Sequence, residues 1–304
     1  MEKEWPSSVF ANKQELIALK KKVNALKLKK SKLPTLTGSG EQQSPFKTKG
    51  LDFQEVRVYQ PGDDIRLIDW RITAKHNKPY TKLFTDEKER QVFILLDMRS
   101  SLKFATQGEF KSVVGAKTAA ILSFLALNNH DKLGYTLLSD DKIECAYSGA
   151  NNETLISFFD KIEENAAPFQ KESETSLNQA LLKSEKMIKK GALVFILSDF
   201  FDYNDELKKT ITRLSKKSLC SLFHIFDKVE KEFPHHILPV TNGSAVLFFN
   251  GKLKSFQKKY QNIFQTKKNF LLDLTSNPNI GYLPLSTEEE YVFKIASFCK
   301  GGLL

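Results

Sequence analysis

The chain has 304 residues, a mass of 34.7 kDa and a formal net charge of +10, from 46 basic and 36 acidic side chains. With 41% hydrophobic and 27% charged residues it has the composition of a globular protein, which excludes the disordered and fibrous classes. The three cysteines show no C-x-x-C spacing, so neither a disulfide framework nor a structural zinc site is expected. No secretory signal and no membrane-spanning apolar run is visible, so we expect a cytoplasmic protein without a transmembrane segment.

The positive charge is concentrated near the start of the chain. Residues 1–50 contain 11 Lys, no Arg and 4 Glu, and therefore carry seven of the ten net charges. Apolar residues at Leu16, Leu19 and Val23 predict a basic helix over 12–33, followed by a flexible linker over 34–50. We expect this helix to lay one apolar stripe on the body of the protein. The alternative is binding of nucleic acid or another anionic surface through residues 13–32.

Residues 51–90 predict a small β unit. Short strands are expected over 55–59 and 80–84. Between them, the QPGD sequence at 60–63 places Pro and Gly at the two central positions of a type II turn. Asp63 or Asp64 is then placed to cap one helical turn.

Beyond residue 90 the chain alternates short apolar strands with amphipathic helices. This alternation predicts an α/β domain with a mostly parallel sheet covered by helices on both faces. Strands are predicted over 92–96, 133–138, 142–146 (a hairpin mate of its predecessor), 192–197, 219–225, 245–249 and 280–283, and helices over 111–128, 152–162, 176–189, 206–214, 254–272 and 288–298.

Acidic residues closely follow two of these predicted strands: Asp97 comes at once, and Asp199 comes after Ser198. The carboxyl ends of parallel strands form the edge at which such sheets bind ligands. Together with Ser101 and Thr175, the layout resembles the metal-ion-dependent adhesion site of von Willebrand factor A domains. In that site a D-x-S-x-S loop, a Thr and a second Asp hold Mg²⁺ through oxygen ligands. Arg99 stands where the resemblance requires the first Ser of the loop.

Arg99 changes the chemistry expected at this edge. A guanidinium about 5 Å from a divalent cation is repelled by roughly 6–7 kcal/mol at an effective dielectric constant of about 20, and it cannot lose its proton. We therefore expect Arg99 to bridge Asp97 and Asp199 in place of a metal. The alternative is an outward-facing Arg99 that leaves a weak Mg²⁺ or Mn²⁺ site at Asp97, Ser101, Thr175 and Asp199.

The sequence RVYQPGDDIRLIDWRITA at 57–74 closely resembles the signature R-x-Y-x-P-G-D-x-x-R-x-I-D-W-x-x-(S/T)-A of the domain-of-unknown-function 58 family. The resemblance implies a von Willebrand A-like domain with a small β insertion before its first core strand. It also implies a chaperone-like or assembly role beside a MoxR-type AAA+ ATPase, with the carboxyl edge of the sheet as the binding face. The signature residues form either an ion-pair network that stabilises the insertion or a docking surface. They are Arg57, Tyr59, Asp63, Asp64, Arg66, Asp69, Trp70 and Arg71.

Motifs typical of enzymes are absent from the sequence. It contains no phosphate-binding G-x-x-x-x-G-K-[ST] loop and no G-x-S-x-G elbow, and His235-His236 is predicted to lie in a surface loop. We therefore expect a non-enzymatic adaptor of three parts: the arm and linker 1–50, the β subdomain 51–90 and the α/β domain 91–304. A metal-dependent hydrolase at the same edge is the weaker alternative. The client protein and the oligomeric state are left open.

Overall fold

The structure is a computed structural model that describes residues 6–25, 51–76, 78–86, 90–147, 152–167, 173–241 and 246–300. The chain divides into two compact units, residues 37–89 and the remainder. Within the described ranges, no helix combines the length and the apolar character that a membrane span requires.

The strands and helices are numbered in chain order. The strands are β1 Leu51–Val58, β2 Tyr80–Asp86, β3 Gln91–Asp97, β4 Lys132–Leu138, β5 Ile143–Tyr147, β6 Leu193–Ser198, β7 Leu219–Phe226, β8 Ile237–Thr241, β9 Val246–Asn250 and β10 Ile280–Ser286. The helices are α1 Lys13–Ala25, α2 Trp70–His76, α3 Lys111–Asn128, α4 Asn152–Asn165, α5 Leu177–Glu185, α6 Asp205–Leu214, α7 Lys228–Lys231, α8 Lys254–Leu274 and α9 Tyr291–Lys300.

The larger unit is built on a six-stranded sheet with the order β10-β7-β6-β3-β4-β5. Every neighbouring pair in it is parallel except β4 and β5, which pair antiparallel. The predicted mostly parallel α/β sheet is therefore confirmed. The chain runs from β3 outward to β5 and then returns to β6 on the other side of β3. The carboxyl ends of β3 and β6 thus flank the point where the strand order reverses, which is the usual ligand-binding crevice of such sheets.

Helices cover the sheet on both faces, and the side chains of β3 show why. Val92, Ile94 and Leu96 belong to a buried cluster that also holds residues of α1, α3, α4 and α9. Phe93 and Leu95, which alternate with them, belong to a second cluster with residues of α5, α6 and α8. A strand buried on both faces needs apolar residues at every position, and this explains the continuous run in the sequence.

The basic helix at the start of the chain, α1, packs on α3 as part of the larger unit. Its predicted apolar stripe is buried, with Leu16 at 0%, Leu19 at 8% and Val23 at 2% exposure, whereas Lys20, Lys21 and Lys22 are exposed. The structure thus differs from a separate arm over residues 1–50, because an apolar stripe of this depth belongs to the core. The predicted linker over 34–50 and the last part of the predicted helix lie outside the described residues.

The smaller unit contains the antiparallel pair β1–β2. Gly62 has φ +109° and the Asp63 N–H donates to the Gln60 carbonyl at 3.0 Å, as a type II turn requires. Asp64 caps a 3-10 turn at Ile65–Leu67. Helix α2, which the sequence analysis did not predict, follows directly.

The segment between β7 and α8 also differs from the prediction. The strand expected over 245–249 does not join the main sheet, since β9 pairs with β8 in a separate two-stranded sheet. Strand β8 was missed because Pro239 lies inside it, and proline weakens any strand prediction. His235 and His236 are exposed in the loop before β8, as predicted.

Candidate functional site

The predicted site lies at the carboxyl ends of β3 and β6, which are hydrogen-bonded neighbours. Asp97 is the last residue of β3 and is 0% exposed. Asp199 directly follows β6 and is 2% exposed. Buried carboxylates at this depth need charged or hydrogen-bonding partners, and the partners define the site.

Arg99 is the central partner. Its Nε and Nη2 donate to Asp97 Oδ1 and Oδ2 at 3.0 and 2.8 Å. Its Nη2 and Nη1 donate to Asp202 Oδ1 and Oδ2, both at 2.9 Å, and Nη1 also donates to the Thr175 carbonyl at 3.2 Å. A guanidinium has five N–H donors, so the whole donor capacity of Arg99 is used in this clamp.

The expected bridge from Arg99 to Asp199 is therefore wrong in its second partner. Asp202, three residues further along, takes the place predicted for Asp199. Phe200 explains the exchange, because its φ of +50° turns the chain between the two carboxylates. Such a conformation is uncommon for a bulky residue. It directs Asp202 towards Arg99.

Asp199 instead pairs with Lys111, the first residue of α3. The Lys111 Nζ lies 2.9 Å from Asp199 Oδ2 and 2.5 Å from Glu230 Oε1. Lys267 of α8 donates to the Asp199 backbone carbonyl at 3.0 Å. A cation at a helix N-terminus opposes the helix dipole, so Lys111 depends on these two carboxylates.

Among the described residues, the two hydroxyl groups of the predicted site make no hydrogen bond to Asp97 or Asp199. The Thr175 hydroxyl donates to the Ser139 carbonyl at 2.6 Å. The Ser101 hydroxyl oxygen is buried and has no hydrogen-bond partner among the described residues. Its neighbour Ser100 donates from both its amide and its hydroxyl to Asp140.

The charges at this edge shift one another's pKa values. Burial raises the pKa of Asp97, and the Arg99 charge opposes that shift. Burial would also raise the pKa of Asp199, but Lys111 and Lys267 outweigh it and lower that pKa to about 2. Burial lowers the pKa of the nearby His224 to about 3, with help from Lys267, so its imidazole is neutral.

A divalent cation does not fit this arrangement of donors. Asp97 accepts four hydrogen bonds: two from the Arg99 guanidinium, one from the Arg99 amide and one from the Ser198 hydroxyl. A carboxylate offers about four lone-pair positions, so Asp97 has none left for a metal. Within the described ranges, no group of three or more His, Cys, Asp or Glu residues could hold a metal ion.

A third strand-end acid belongs to the same edge and was missed. Asp227 directly follows β7, is 0% exposed and caps α7. It accepts hydrogen bonds from the amide and hydroxyl of Thr106 and from the Thr287 hydroxyl. The signal was the one that found Asp97 and Asp199, an acid directly after a buried strand. Asp202 gave no comparable signal, because its role depends on the turn at Phe200.

In the smaller unit, the signature residues act mostly as caps. Arg57 Nη2 lies 2.7 Å from Asp63 Oδ1, and Asp69 accepts from the first amides of α2. Arg66 and Arg71 are exposed and make no ion pair among the described residues. Only part of the expected ion-pair network is therefore present in the described chain.

Comparison with known proteins identifies the family. A family described as "Protein of unknown function DUF58" matches residues 55–245, more than half of the chain. The chain belongs to the DUF58 family. This confirms the resemblance seen in the signature.

The curated relatives match over a shorter length. The uncharacterized protein Rv1480 of Mycobacterium tuberculosis is 35% identical over 85 residues, which is 28% of this chain and 27% of that protein. The uncharacterized protein YeaD of Bacillus subtilis is 36% identical over 73 residues, 24% of this chain and 17% of that protein. The chain thus spans about a quarter or less of the length of these relatives.

A solved structure also resembles this DUF58 protein. It is an aerotolerance-related membrane protein from Bacteroides fragilis, with multiple mutations to serines. The TM-score is 0.36 at 12% identity, and the similarity covers 70% of this chain and 96% of that one.

Proposed function

We propose that this DUF58 protein is a non-enzymatic, cytoplasmic interaction module with a von Willebrand factor A-like fold. It acts with a MoxR-type AAA+ ATPase in chaperone-like assembly or maturation. One observation carries the proposal: Arg99 and Asp97, at the centre of the predicted site, have no hydrogen-bonding capacity left for a metal or a substrate. Arg99 uses all its N–H groups and Asp97 accepts four bonds. Such a rigid set of paired charges favours a role in binding over a role in catalysis.

Phe201 lies next to these paired charges in the sequence, and its side chain is exposed to solvent. It is 71% exposed, whereas Phe200 beside it is fully buried with φ +50°. The turn is held by the Phe201 amide, which donates to Asp199 Oδ1, and by the Phe200 amide, which donates to the Ser198 hydroxyl. An aromatic side chain held outward by a strained, hydrogen-bonded turn is typical of a binding residue, because strain of this kind persists mainly at functional sites.

The signature offers a second contact for the same partner. Trp70 is 68% and Ile65 is 63% exposed, and Arg66 and Arg71 are exposed as well. Trp and Arg are the residue types most enriched among interface hot spots. Their exposure supports the docking interpretation of the signature over the purely structural one.

Affinity for the ATPase tests the proposal. The full chain is mixed with a MoxR-type ATPase from the same organism, and the Kd is measured by calorimetry. Phe201→Ala is expected to weaken binding about 30-fold, which is the effect of a hot-spot side chain worth about 2 kcal/mol. Phe293→Ala is the matched control, since Phe293 is 66% exposed on α9, and its Kd should equal that of the wild type.

Three outcomes contradict parts of the proposal. The absence of any complex with the wild-type chain would overturn the ATPase partnership. Wild-type affinity for Phe201→Ala with lost binding for Trp70→Ala would move the contact from the sheet edge to the signature. Hydrolytic turnover that disappears in Asp97→Asn would establish the hydrolase alternative.

A further inference from the structure

The β8–β9 hairpin presents an apolar face to solvent. Ile237 pairs with Asn250 and Pro239 pairs with Phe248. Opposite residues of an antiparallel pair, and residues two apart on one strand, share a face, so Ile237 and Phe248 lie on the same face. They are 56% and 73% exposed. Leu253, at the start of α8, is 53% exposed.

The other face of the hairpin is fixed to the protein. The Phe249 ring contacts those of Phe233 and Phe256, with centroids 6.4 and 5.7 Å away. Gln257 of α8 donates to the Phe233 and Gly251 carbonyls at 2.6 and 2.8 Å. A Cβ at Gly251 would lie 1.9 Å from the Pro234 carbonyl oxygen, so only glycine fits. The outward side chains of this hairpin are therefore held on a rigid base.

Along the sequence, the hairpin and most of α8 carry charge of one sign. Residues 233–272 contain six Lys and neither Asp nor Glu, and residues 237–251 contain no ionisable side chain. Lys252 and Lys254 flank Leu253, and Lys258 and Lys259 follow one turn later on α8; all four are exposed. The nearest carboxylates along the chain are Glu232 and Asp273.

We propose that this hairpin surface, formed by Ile237, Phe248 and Leu253 with the lysines of the start of α8, binds a membrane surface that contains anionic phospholipids. An uncharged apolar face with a lysine border is the arrangement that interfacial elements use: the apolar side chains enter the headgroup boundary and the lysines contact phosphates. Recognition of an acidic protein by the lysines alone would leave Ile237 and Phe248 exposed to water. The combination of apolar and basic side chains therefore favours lipid.

Vesicle sedimentation tests the proposal with the full chain. The protein is expected to sediment with vesicles of phosphatidylcholine and phosphatidylserine, to be released by salt, and to stay in solution with phosphatidylcholine alone. Phe248→Ser is expected to lower the partition coefficient at least about tenfold, from the loss of one buried aromatic side chain. The double variant Lys252→Gln/Lys254→Gln is expected to lower it about 30-fold.

The controls match these changes elsewhere on the same unit. Phe293→Ser removes a phenylalanine that is 66% exposed on α9, and Lys209→Gln/Lys216→Gln removes two exposed lysines at α6. Both controls are expected to sediment like the wild type. Phe201→Ala should also sediment like the wild type. A failure of the membrane proposal would therefore not affect the ATPase proposal, and the reverse also holds.

Fluorescence quenching tests whether residue 248 enters the bilayer. In a Phe248→Trp variant, brominated lipids should quench fluorescence beyond the quenching of the wild-type tryptophans. The proposal is overturned by a lack of sedimentation with the anionic vesicles, or by test variants that bind as well as their controls. Loss of a complex with polyglutamate in Phe248→Ser, without vesicle binding by the wild type, would assign the surface to an acidic protein instead.

Discussion

Arg99 is a buried cation that makes many of the polar interactions at the carboxyl edge of the sheet. Its side chain is 5% exposed, and those of Asp97 and Asp202 are 0% and 23% exposed. Burying such charges costs several kcal/mol for each ion, and the pairing offsets this only while every partner is present. Removing the guanidinium would leave two carboxylates of like charge facing each other.

Replacement of Arg99 by methionine measures this dependence. We expect Arg99→Met to lower the free energy of unfolding by about 3–5 kcal/mol, as when one partner of a buried ion pair is removed. Arg213→Met is the control, because Arg213 binds Glu185 through two bonds of 3.0 and 2.7 Å with its side chain 51% exposed. Its loss should lower the stability in urea unfolding much less than Arg99→Met does, because the pair is exposed to solvent. Equal losses for the two variants would contradict the role given to burial.

The sequence could predict which loops carry the site but not which atoms meet. Asp97 and Asp199 were found because an acid after an apolar strand lies at the carboxyl edge. Asp199 was expected as the second partner of Arg99, and Asp202 was not considered, since no sequence pattern indicates the positive φ of Phe200 between them. The ion pair between Lys111 and Asp199 joins residues that lie far apart in the sequence, so no local sequence pattern could predict it.

Among the elements, α1 shows how a lysine-rich segment can belong to a core. Lys20, Lys21 and Lys22 lie in solvent while one apolar stripe enters the cluster that holds residues of α3 and α4. The Lys13 amide donates to Glu163 of α4 at 3.1 Å, and the Phe110 amide before α3 donates to the Ser8 carbonyl at 2.8 Å. These bonds tie the start of the chain to two other helices.

Adjacent positions on α1 test this packing. Leu16→Ala is expected to lower the free energy of unfolding by about 2–5 kcal/mol, because it leaves a cavity at a fully buried position. Ile17→Ala is the control, since Ile17 is 46% exposed, and its effect should stay within about 1 kcal/mol. Thermal and urea unfolding of both variants provides the measurement. A Leu16→Ala protein as stable as the Ile17→Ala protein would show that α1 does not contribute to the core.

Elements with a strong periodic signal were predicted well, and elements fixed by local geometry were not. Helix α3 was predicted with its observed ends, and β3 and β6 to within one residue at each end, because long buried runs have few alternative structures. Helix α2 has seven residues and follows Asp69, whose carboxylate caps it, within a segment rich in charges. Strand β9 was predicted as a strand, but its pairing in a separate sheet was not, because its partner β8 was not predicted.

For the molecule as a whole, two buried acids make the free energy of unfolding depend on pH in opposite directions. The folded-state pKa of Asp199 lies at about 2, below its ordinary value of 3.8. Its contribution to stability is therefore complete above about pH 4 and is lost as the pH falls towards 2. Asp131 behaves in the opposite way, since burial raises its pKa to about 6 despite the opposing charge of Arg90. The fold then gains stability as the pH falls from about 6 to about 4.

Asp131→Asn isolates the second contribution. Asp131 is 4% exposed, and its Oδ2 has no hydrogen-bond partner among the described residues, so the ionised form is costly in the fold. The variant is expected to exceed the wild type in stability by about 1–2 kcal/mol near pH 7.5, with the difference shrinking towards about pH 4. Urea midpoints across this range provide the measurement. A difference that does not change with pH would contradict the assigned pKa.

Because Arg99 takes the place of a metal ion, the supply of that ion cannot regulate this edge of the sheet. A binding edge organised by Mg²⁺ is sensitive to chelators and to the supply of the ion, and it can be emptied and refilled. A guanidinium supplied by the chain is present once per molecule, cannot be chelated and keeps its charge at any physiological pH. The loops after β3 and β6 are thus set when the protein folds. If the edge has an on-and-off cycle, its timing would come from the nucleotide cycle of the proposed ATPase.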